Sequence, residues 1–420
     1  MSRLYSLRGL ALALGVTGLA NSCSVPYSDL IAPTAARGDI FNSYVAIGNS
    51  ITAGYQSSGI IDSTQKRSYA FLLGQSMGTR FAYPSLVGRG CPPLIANFQT
   101  QARVTGSAAT CDLRSTSNTD ILNNVSVPGA WSGDPSTSST TTSNALTTLF
   151  LGGKTQLDRA LMAKPTFVSV WIGNNDLLGP AISSGGTAAS LATITSTAAF
   201  TTNYNAILDP LVAANPNLKG VLIGVVNVGN APIMFSAATL SVAAFKAGFD
   251  AIACGAGTAS TSCVAGATTL DASCTSAPGN AAIINTFLAF QIRLNAHPAL
   301  IACTPGGASG TIPAPVGDAL VLTTTEQATI TAAVSAFNAY ISGKATTLGF
   351  AYYDPNTTLV TLKAAGTVIR ATPSWLATGT FGTGMSLDGV HPGASVHLTI
   401  ANALITAINA KYSTTLPAAF

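Results

Sequence analysis

The chain has 420 residues, of which 47% are apolar and only 8% are charged, and its formal net charge is +4. A chain of this kind can bury a sizeable core, and its length suits one large domain with insertions or two ordinary domains. Two of the positive charges, Arg3 and Arg8, lie at the extreme N-terminus, and no basic run with interleaved aromatic residues follows. Nucleic acid is therefore excluded as an expected partner.

The first predicted element is an export signal over residues 1–22. Arg3 and Arg8 precede an apolar stretch over residues 9–20. That stretch is too short to span a bilayer comfortably, and small residues follow it at a predicted cleavage site. The pattern predicts that the mature protein leaves the cytoplasm. No other segment of the sequence is long and apolar enough to predict a membrane span.

The residues at the end of this signal predict a lipid anchor. Ala20 and Ser22 lead to Cys23, and this arrangement resembles the lipobox of bacterial lipoproteins, although Leu19 stands one place earlier than the leucine of that motif. In lipoproteins the cysteine is acylated and becomes the mature N-terminus. The resemblance implies membrane attachment through Cys23, followed by a linker over residues 23–38. Ordinary cleavage after Ser22, which would give a secreted protein, is the alternative.

The cysteine content agrees with export. Six cysteines remain when Cys23 is set aside, and an even number in an exported chain suggests up to three disulfides. They are Cys91, Cys111, Cys254, Cys263, Cys274 and Cys303. Cys91 and Cys111 form the natural local pair, whereas the other four can pair in three ways. A zinc site is the competing interpretation, but no C-x-x-C spacing occurs and the three histidines lie elsewhere, so no metal is expected.

Strand-like and helix-like segments alternate along the chain. Near-continuous apolar strands, which a parallel sheet covered on both faces requires, are predicted at 43–48, 121–127, 166–173, 220–228 and 349–354. Helices are predicted at 68–77, 155–164, 201–215, 325–349 and 393–412. This alternation predicts an α/β fold, a flavodoxin-like three-layer α/β/α sandwich with a parallel central sheet.

Two stretches interrupt the alternation. Residues 132–144 are polar and rich in Ser and Thr, which predicts a loop. Residues 231–325 are rich in Ala, Gly, Ser and Thr and hold four of the cysteines. They predict a disulfide-containing insertion with one helical piece at 280–297. The sequence thus predicts one domain over residues 39–412, interrupted by this insertion and followed by a tail at 413–420.

The first predicted strand ends within SYVAIGNSIT, residues 43–52, where Gly48 precedes Ser50 by two positions. Taken alone, this stretch fits a strand that turns into a helix, with Asn49 or Ser50 as an ordinary N-cap. Polar residues at the ends of the other strands favour a functional interpretation instead. Open α/β sheets assemble their sites where parallel strands end.

Four further candidates occupy such positions. Gly129 and Asn175 follow two of the predicted strands, and Asp388 stands three residues before His391, directly ahead of the last helix. A serine hydroxyl is a weak nucleophile until a neutral imidazole can take its proton, and a carboxylate orients that imidazole. The backbone N–H groups of Ser50 and Gly129 and the side-chain amide of Asn175 are candidate donors to the oxyanion that would form.

The segments GNSITAG, NVSVPG, GNND and DGVHP resemble the four sequence blocks of the SGNH hydrolases, also called GDSL esterases and lipases, in the order of that family. The resemblance covers roughly residues 39–230 and 325–412. It implies the following roles: nucleophile Ser50, base His391 with its partner Asp388, and an oxyanion hole of Ser50, Gly129 and Asn175. One departure is Asn49, which stands where the family usually has aspartate.

The resemblance also implies an activity. It predicts a serine esterase or lipase that hydrolyses carboxylic esters of a lipid, a small molecule or an acylated glycan and needs no cofactor. With the same residues the protein could instead remove acetyl groups from polysaccharide or transfer an acyl group to a sugar hydroxyl. A third alternative is a non-catalytic surface binding protein that kept the fold, against which the complete set of site residues argues.

Other polar residues have simpler interpretations. His297 lacks an acid three residues before it and is predicted to be structural, and His397 is predicted to be a packing or surface residue. Asp176, at a strand end beside Asn175, is predicted to tie loops together. The segment LFLGGKTQ lacks the first glycine of a P-loop, and no G-x-S-x-G occurs, so neither a nucleotide site nor an α/β-hydrolase elbow is predicted.

Overall fold

The computed structural model describes residues 37–98, 100–112, 121–137, 145–183, 191–254, 268–286, 299–304, 308–310, 321–370 and 380–420. The predicted signal peptide, the lipidation candidate Cys23, His297 and Cys263 lie outside the described residues, as does the side chain of Cys254.

A parallel sheet of four strands forms the centre of the molecule, in the spatial order β1-β2-β3-β10. Two smaller three-stranded sheets, β4-β6-β9 and β5-β7-β8, lie between β3 and β10 in the sequence. The strands are β1 (Tyr44–Gly48), β2 (Phe167–Trp171), β3 (Lys219–Ile223), β4 (Met234–Ser236), β5 (Thr268–Leu270), β6 (Ile283–Asn285), β7 (Ala299–Ile301), β8 (Ala308–Gly310), β9 (Val321–Leu322) and β10 (Ala351–Tyr353).

The predicted strand at 121–127 lies along the free edge of β1, although only one isolated parallel bridge, between Ala46 and Asn124, forms there. The N–H of Ala46 donates to the carbonyl of Asn123 at 2.8 Å, and the N–H of Val125 donates to the carbonyl of Ala46 at 3.0 Å. Counted with this segment, the spatial order of the strands is 2-1-3-4-5 in sequence numbering. This is the flavodoxin-like order, as the sequence predicts.

The five predicted helices all form. They are α3, α6, α8, α11 and α13. The α-helices of the described residues are α1 (Ser50–Ala53), α2 (Asp62–Gln65), α3 (Tyr69–Met77), α4 (Asp134–Thr137), α5 (Ala145–Leu151), α6 (Gln156–Met162), α7 (Asn175–Leu178), α8 (Thr197–Ala214), α9 (Ala237–Leu240), α10 (Ala243–Cys254), α11 (Thr324–Leu348), α12 (Pro355–Ala364) and α13 (Ala394–Tyr412). A capping box starts α11, in which Thr323 and Glu326 each bind the backbone N–H of the other. Among the described residues, no helix has the length and apolar character needed to cross a membrane.

Side chains alternate between the two faces of the sheet, and each face is covered by helices. Tyr44 and Ala46 belong to a buried cluster with residues of α3 and α13. Val45 and Ile47 belong to the cluster on the opposite face, which includes residues of α8 and α11. The α8–α11 contact includes Phe200 stacked on Phe337, with ring centroids 3.9 Å apart. The predicted three-layer α/β/α sandwich is confirmed.

Two local predictions are wrong over part of their range. Only residues 280–286 of the helix predicted at 280–297 are described. A short 3-10 helix ends there at Ala281, and Ile283–Asn285 forms β6, in which Ile283 and Ile284 are buried and pair with β4 and β9. Paired, β-branched residues favour a strand over a helix. Within the loop predicted at 132–144, residues 134–137 form the short helix α4, and the carboxylate of its first residue, Asp134, accepts the N–H of Trp131. Residues 138–144 lie outside the described residues.

Two of the predicted disulfides are present. Cys91 pairs with Cys111, as the sequence predicts, and Cys274 pairs with Cys303. The second bridge joins two parts of the 231–325 segment, so the predicted disulfide-containing insertion is confirmed. Disulfides of this kind are typical of proteins that fold in an oxidising compartment.

Candidate active site

Ser50 lies where β1 ends and α1 begins. Gly48 ends the strand, and a side chain at this position would put its Cβ 2.7 Å from the carbonyl oxygen of Trp171, so only glycine fits. Asn49 caps α1, since its side chain accepts a hydrogen bond from the N–H of Ile51 at 3.2 Å. The ordinary cap interpretation is therefore correct for Asn49. It leaves the Ser50 hydroxyl available for another partner.

The partner of that hydroxyl is His391. Its Nε2 lies 2.9 Å from Ser50 Oγ, although the two residues are 341 positions apart. Its Nδ1 lies 2.9 Å from Oδ2 of Asp388. With the Nδ1 proton donated to the carboxylate, Nε2 presents its lone pair to the serine hydroxyl. The structure thus brings together the three residues that the sequence places in a serine–histidine–aspartate arrangement.

The carboxylate of Asp388 is buried and fully hydrogen-bonded. Its Oδ1 accepts from the Ser386 hydroxyl and from the backbone N–H groups of Val390 and His391, and its Oδ2 accepts from the His391 ring and from the Ser58 N–H. Burial alone would raise the pKa of Asp388, but the attraction of His391 and the hydrogen bonds from His391 and Ser58 outweigh it. The pKa of Asp388 therefore lies well below its usual range, and the side chain stays ionised.

The turn that supplies the Ser58 N–H was not recognised in the sequence. Gln56 and Gly59 exchange two backbone hydrogen bonds of 2.8 and 3.0 Å, and Ser57 and Ser58 between them have φ of 50° and 52°. This left-handed conformation costs roughly 1–2 kcal/mol for a residue such as serine, whereas glycine and asparagine adopt it more readily. The Ser57 hydroxyl accepts the N–H of Leu387 at 3.1 Å. Turns of this shape normally carry Asn or Gly, so two serines give no signal.

Gly129 follows the 121–127 segment, which runs beside β1 as far as the end of that strand. The N–H of Val127 donates to the carbonyl of Gly48 at 3.2 Å, two residues before Ser50. Gly129 has φ of 84°, a conformation that glycine adopts without strain. No hydrogen bond from the N–H of Ser50 or of Gly129 occurs within the described residues. Both donors can therefore bind an oxygen atom of a ligand.

Asn175 is the first residue of α7, the helix that follows β2 after a short connection. Its Nδ2 donates to the carbonyl of Ala130 at 2.8 Å, which orients the amide and leaves its second hydrogen for a ligand. Asn175 lines the same cavity as Ser50 and His391. Its neighbour Asp176 is buried and accepts the N–H and the hydroxyl of Ser132 at 2.8 and 2.5 Å, which confirms its predicted role in tying loops together.

An apolar cavity adjoins Ser50 and His391. It holds about 830 Å³ of empty space, counted with its opening to solvent. One wall is a face of α12, and two residues at the start of the predicted insertion, Ala231 and Pro232, form part of another wall. The apolar lining includes Leu178, Val226, Val228, Pro355, Leu359, Leu362, Val368, Met385, Val396 and Ile400.

His397 has no part in this cavity. It is fully buried, and its Nδ1 accepts the backbone N–H of Tyr69 at 3.2 Å. Burial, with a smaller contribution from His391, lowers the pKa of His397 to about 3, so its ring is neutral. The predicted packing role is confirmed. A different aromatic side chain, Tyr55, lies against the His391 ring with centroids 5.0 Å apart.

Comparisons with known proteins found a matching family and a similar solved structure. A family model described as GDSL-like lipase/acylhydrolase matches residues 44–266, which is more than half of the chain and includes Ser50, Gly129 and Asn175. An extracellular lipase from Streptomyces rimosus, known from a crystal structure, is 17% identical and covers 87% of this chain and 99% of its own, with a TM-score of 0.36. That likeness is too low to support an argument about function. No curated protein matches the chain.

Proposed function

This chain belongs to the GDSL-like lipase/acylhydrolase family, and on that premise we propose that it is a serine ester hydrolase with Ser50 as its nucleophile. The observation that carries the proposal is the unbroken contact from Ser50 Oγ to His391 Nε2 and from His391 Nδ1 to Asp388, with both distances at 2.9 Å. This contact supplies the proton acceptor that a serine needs, together with the carboxylate that orients it.

The proposed reaction has two halves. In the first, Ser50 Oγ attacks the ester carbonyl while His391 Nε2 takes the hydroxyl proton. The tetrahedral intermediate collapses, and the leaving alcohol receives that proton, which leaves the acyl group on Ser50. In the second half, His391 takes a proton from water, the resulting hydroxide attacks the acyl-enzyme, and the acid is released as Ser50 regains its proton.

Three donors are proposed to stabilise the oxyanion of both intermediates. The N–H groups of Ser50 and Gly129 have no acceptor among the described residues, and the amide of Asn175 is oriented by its bond to Ala130. Donors that are fixed before the reaction need no reorganisation when the charge develops, and this makes them effective. The chain needs no cofactor for these steps.

The cavity beside Ser50 supports the proposal that the substrate is an ester with an apolar acyl group. Most of its lining residues are aliphatic, and burial of each CH₂ group in such a site stabilises binding by about 0.8 kcal/mol. An acetyl group would leave most of this surface unfilled. The cavity therefore favours hydrolysis of longer acyl esters over removal of acetyl groups from polysaccharide.

We also propose that the protein is exported and anchored through Cys23. The two disulfides support export, because they form in oxidising compartments. The anchor rests on the sequence around Cys23 alone. Metabolic labelling with a radioactive fatty acid tests it: the wild type should be labelled, and a Cys23→Ala variant should not.

Hydrolysis of a series of p-nitrophenyl esters, from acetate to palmitate, tests the proposed activity. The wild type should hydrolyse the series with a preference for esters longer than acetate, and Ser50→Ala should not. A wild type without activity on any ester of the series, or an equally active Ser50→Ala variant, would contradict the proposal.

A further inference from the structure

The Asp388 carboxylate has one hydrogen-bond donor from outside its own loop within the described residues. That donor is the backbone N–H of Ser58, 2.8 Å from Oδ2, the same oxygen that binds the His391 ring. A second bond joins the two loops, from the N–H of Leu387 to the hydroxyl of Ser57. The position of Asp388 therefore depends on the turn that contains Ser57 and Ser58.

The backbone conformation of this turn is unfavourable without support from other parts of the protein. Both serines have positive φ, and L-residues with a Cβ rarely adopt that conformation. A two-residue turn of serines would relax toward negative φ unless other parts of the protein hold it. Such relaxation would move the Ser58 N–H away from Asp388.

The contacts that hold the turn come from the loop closed by the Cys91–Cys111 disulfide. Arg103 Nη1 donates to the carbonyl of Ser58 at 2.9 Å and also to the carbonyl of Pro93. The N–H of Ile95 donates to the carbonyl of Ser57 at 2.9 Å. Both carbonyls of the strained residues are thus bound by this loop, which we call the disulfide loop (91–111).

Further hydrogen bonds join the residues that follow this turn to the disulfide loop. The N–H of Ile60 donates to the carbonyl of Pro92 at 3.0 Å, and the N–H of Cys91 donates to the carbonyl of Ile60 at 3.0 Å. Gly59 lies so close to the loop that a Cβ there would be 2.6 Å from the carbonyl oxygens of Pro92 and Pro93. The loop therefore fits tightly against the whole turn.

The position of Arg103 is explained by hydrogen bonds to the main chain. Among the residues that the structure describes, its hydrogen bonds go to main-chain carbonyls, and no carboxylate forms an ion pair with it. A guanidinium group can bridge two carbonyls at once, and here it joins the disulfide loop to the strained turn.

We propose that Arg103, held by the disulfide loop, is a positioning residue for the catalytic acid. It keeps the Ser57–Ser58 turn in its strained conformation, and the turn holds the Asp388 carboxylate against His391 through the Ser58 N–H. The inference rests on the proposed function, because it concerns the rate of the same ester hydrolysis.

Arg103→Gln is the direct test, and Arg89→Gln is the matched control. Arg89 lies just before the same loop, but it is exposed and pairs with Asp112, away from the turn. A small displacement of a catalytic group lowers turnover strongly, so kcat of Arg103→Gln should fall about 10-fold or more while KM changes little. Arg89→Gln should keep the wild-type kcat. An unchanged kcat in Arg103→Gln would overturn the proposal.

A double-mutant cycle separates positioning from a general structural role. If Arg103 acts through Asp388, then Arg103→Gln should cause no further loss of kcat in an Asp388→Ala background. The same loss in both backgrounds would overturn the proposal. Failure of the proposed function would give a different result: the wild type would be inactive, or the Ser50→Ala variant would be as active as the wild type.

Ser58→Gly provides a second, compensating variant. Glycine adopts positive φ without strain and keeps the backbone N–H that Asp388 needs. The turn would then need less support, so Ser58→Gly should restore most of the kcat lost in Arg103→Gln. If Arg103→Gln does not fold, Arg103→Lys takes its place in the cycle and in the rescue. A folded double variant that regains no activity would also overturn the proposal.

Discussion

The backbone N–H of Ile233 donates a hydrogen bond of 3.0 Å to the carbonyl of Gly389, inside the turn between Asp388 and His391. The start of the 231–325 insertion therefore contacts the loop that carries the base. Ala231 and Pro232, just before Ile233, line the cavity beside Ser50. The insertion therefore contributes to one wall of the cavity in which we propose that the acyl group binds.

Loss of the Cys274–Cys303 bridge should change substrate preference. The bridge joins two cysteines with a sequence separation of 29. A bridge of this kind raises the free energy of unfolding by about 3 kcal/mol. A Cys274→Ala/Cys303→Ala variant should lose more activity on octanoate than on acetate esters, because the wall loosens while the triad stays in place. An equal loss on both esters would indicate global destabilisation and would contradict this role.

Leu362→Trp should shift the substrate preference toward esters with shorter acyl chains. Leu362 lines the cavity from α12, and a larger ring there fills space that a long acyl chain would occupy. We expect kcat/KM for octanoate to fall about 10-fold or more relative to acetate, which corresponds to roughly two buried CH₂ groups. Val360→Trp is the matched control, since Val360 lies on the same helix but is 66% exposed. The same change in both variants would contradict the assignment of the acyl pocket.

Asn175→Ala should lower turnover without weakening substrate binding. Removal of one oxyanion donor typically lowers kcat about 10²–10³-fold. The neighbouring Asn174 also lines the cavity, but its side chain accepts the N–H of Val226 at 3.0 Å, so Asn174→Ala should mainly affect stability. Steady-state kinetics of both variants make the comparison. An effect of Asn175→Ala on KM alone would mean that Asn175 only contacts substrate.

His397 should make the protein sensitive to acid. Burial lowers its pKa from 6.5 to about 3 in the folded state, so the neutral ring is favoured there. Its contribution to stability is complete above pH 6.5 and is lost as the pH falls toward 3. Between pH 7 and 4.5 this amounts to about 2–3 kcal/mol of unfolding free energy.

Urea unfolding at pH 7 and pH 4.5 measures this contribution. A His397→Gln variant keeps an acceptor for the Tyr69 N–H but does not titrate, so it should lose less stability than the wild type over this interval. Asp388 contributes little to the difference, because the effect of its lowered pKa appears only below the usual pKa of aspartate. Equal losses in the two proteins would contradict the role of His397.

The sequence predicts the main sheet and the chemical groups of the site, because both depend on local patterns. The apolar strands and the motif around Ser50 can be recognised within a few residues, and so can the spacing of Asp388 and His391. The Ser57–Ser58 turn could not be predicted, since its conformation is imposed by contacts from the disulfide loop.

The 231–325 insertion shows the same limit of prediction from local sequence patterns. Ile283 and Ile284 stand in a stretch with helical character, yet they form a strand because β4 and β9 offer backbone partners on both sides. Partners that lie far away in the sequence leave no local signal. For the same reason, the wall that Ala231 and Pro232 contribute to the cavity is evident only in the folded chain.

The central claim is that His391 activates Ser50 as a nucleophile. Stoichiometric labelling with a fluorophosphonate, located by peptide mass spectrometry, tests it most directly, because the reagent reacts with activated serines. We predict one label per chain, on Ser50, in the wild type. We predict no label in Ser50→Ala and a rate lower by several orders of magnitude in His391→Ala. Labelling of a different residue, or an unchanged rate in folded His391→Ala, would contradict the account.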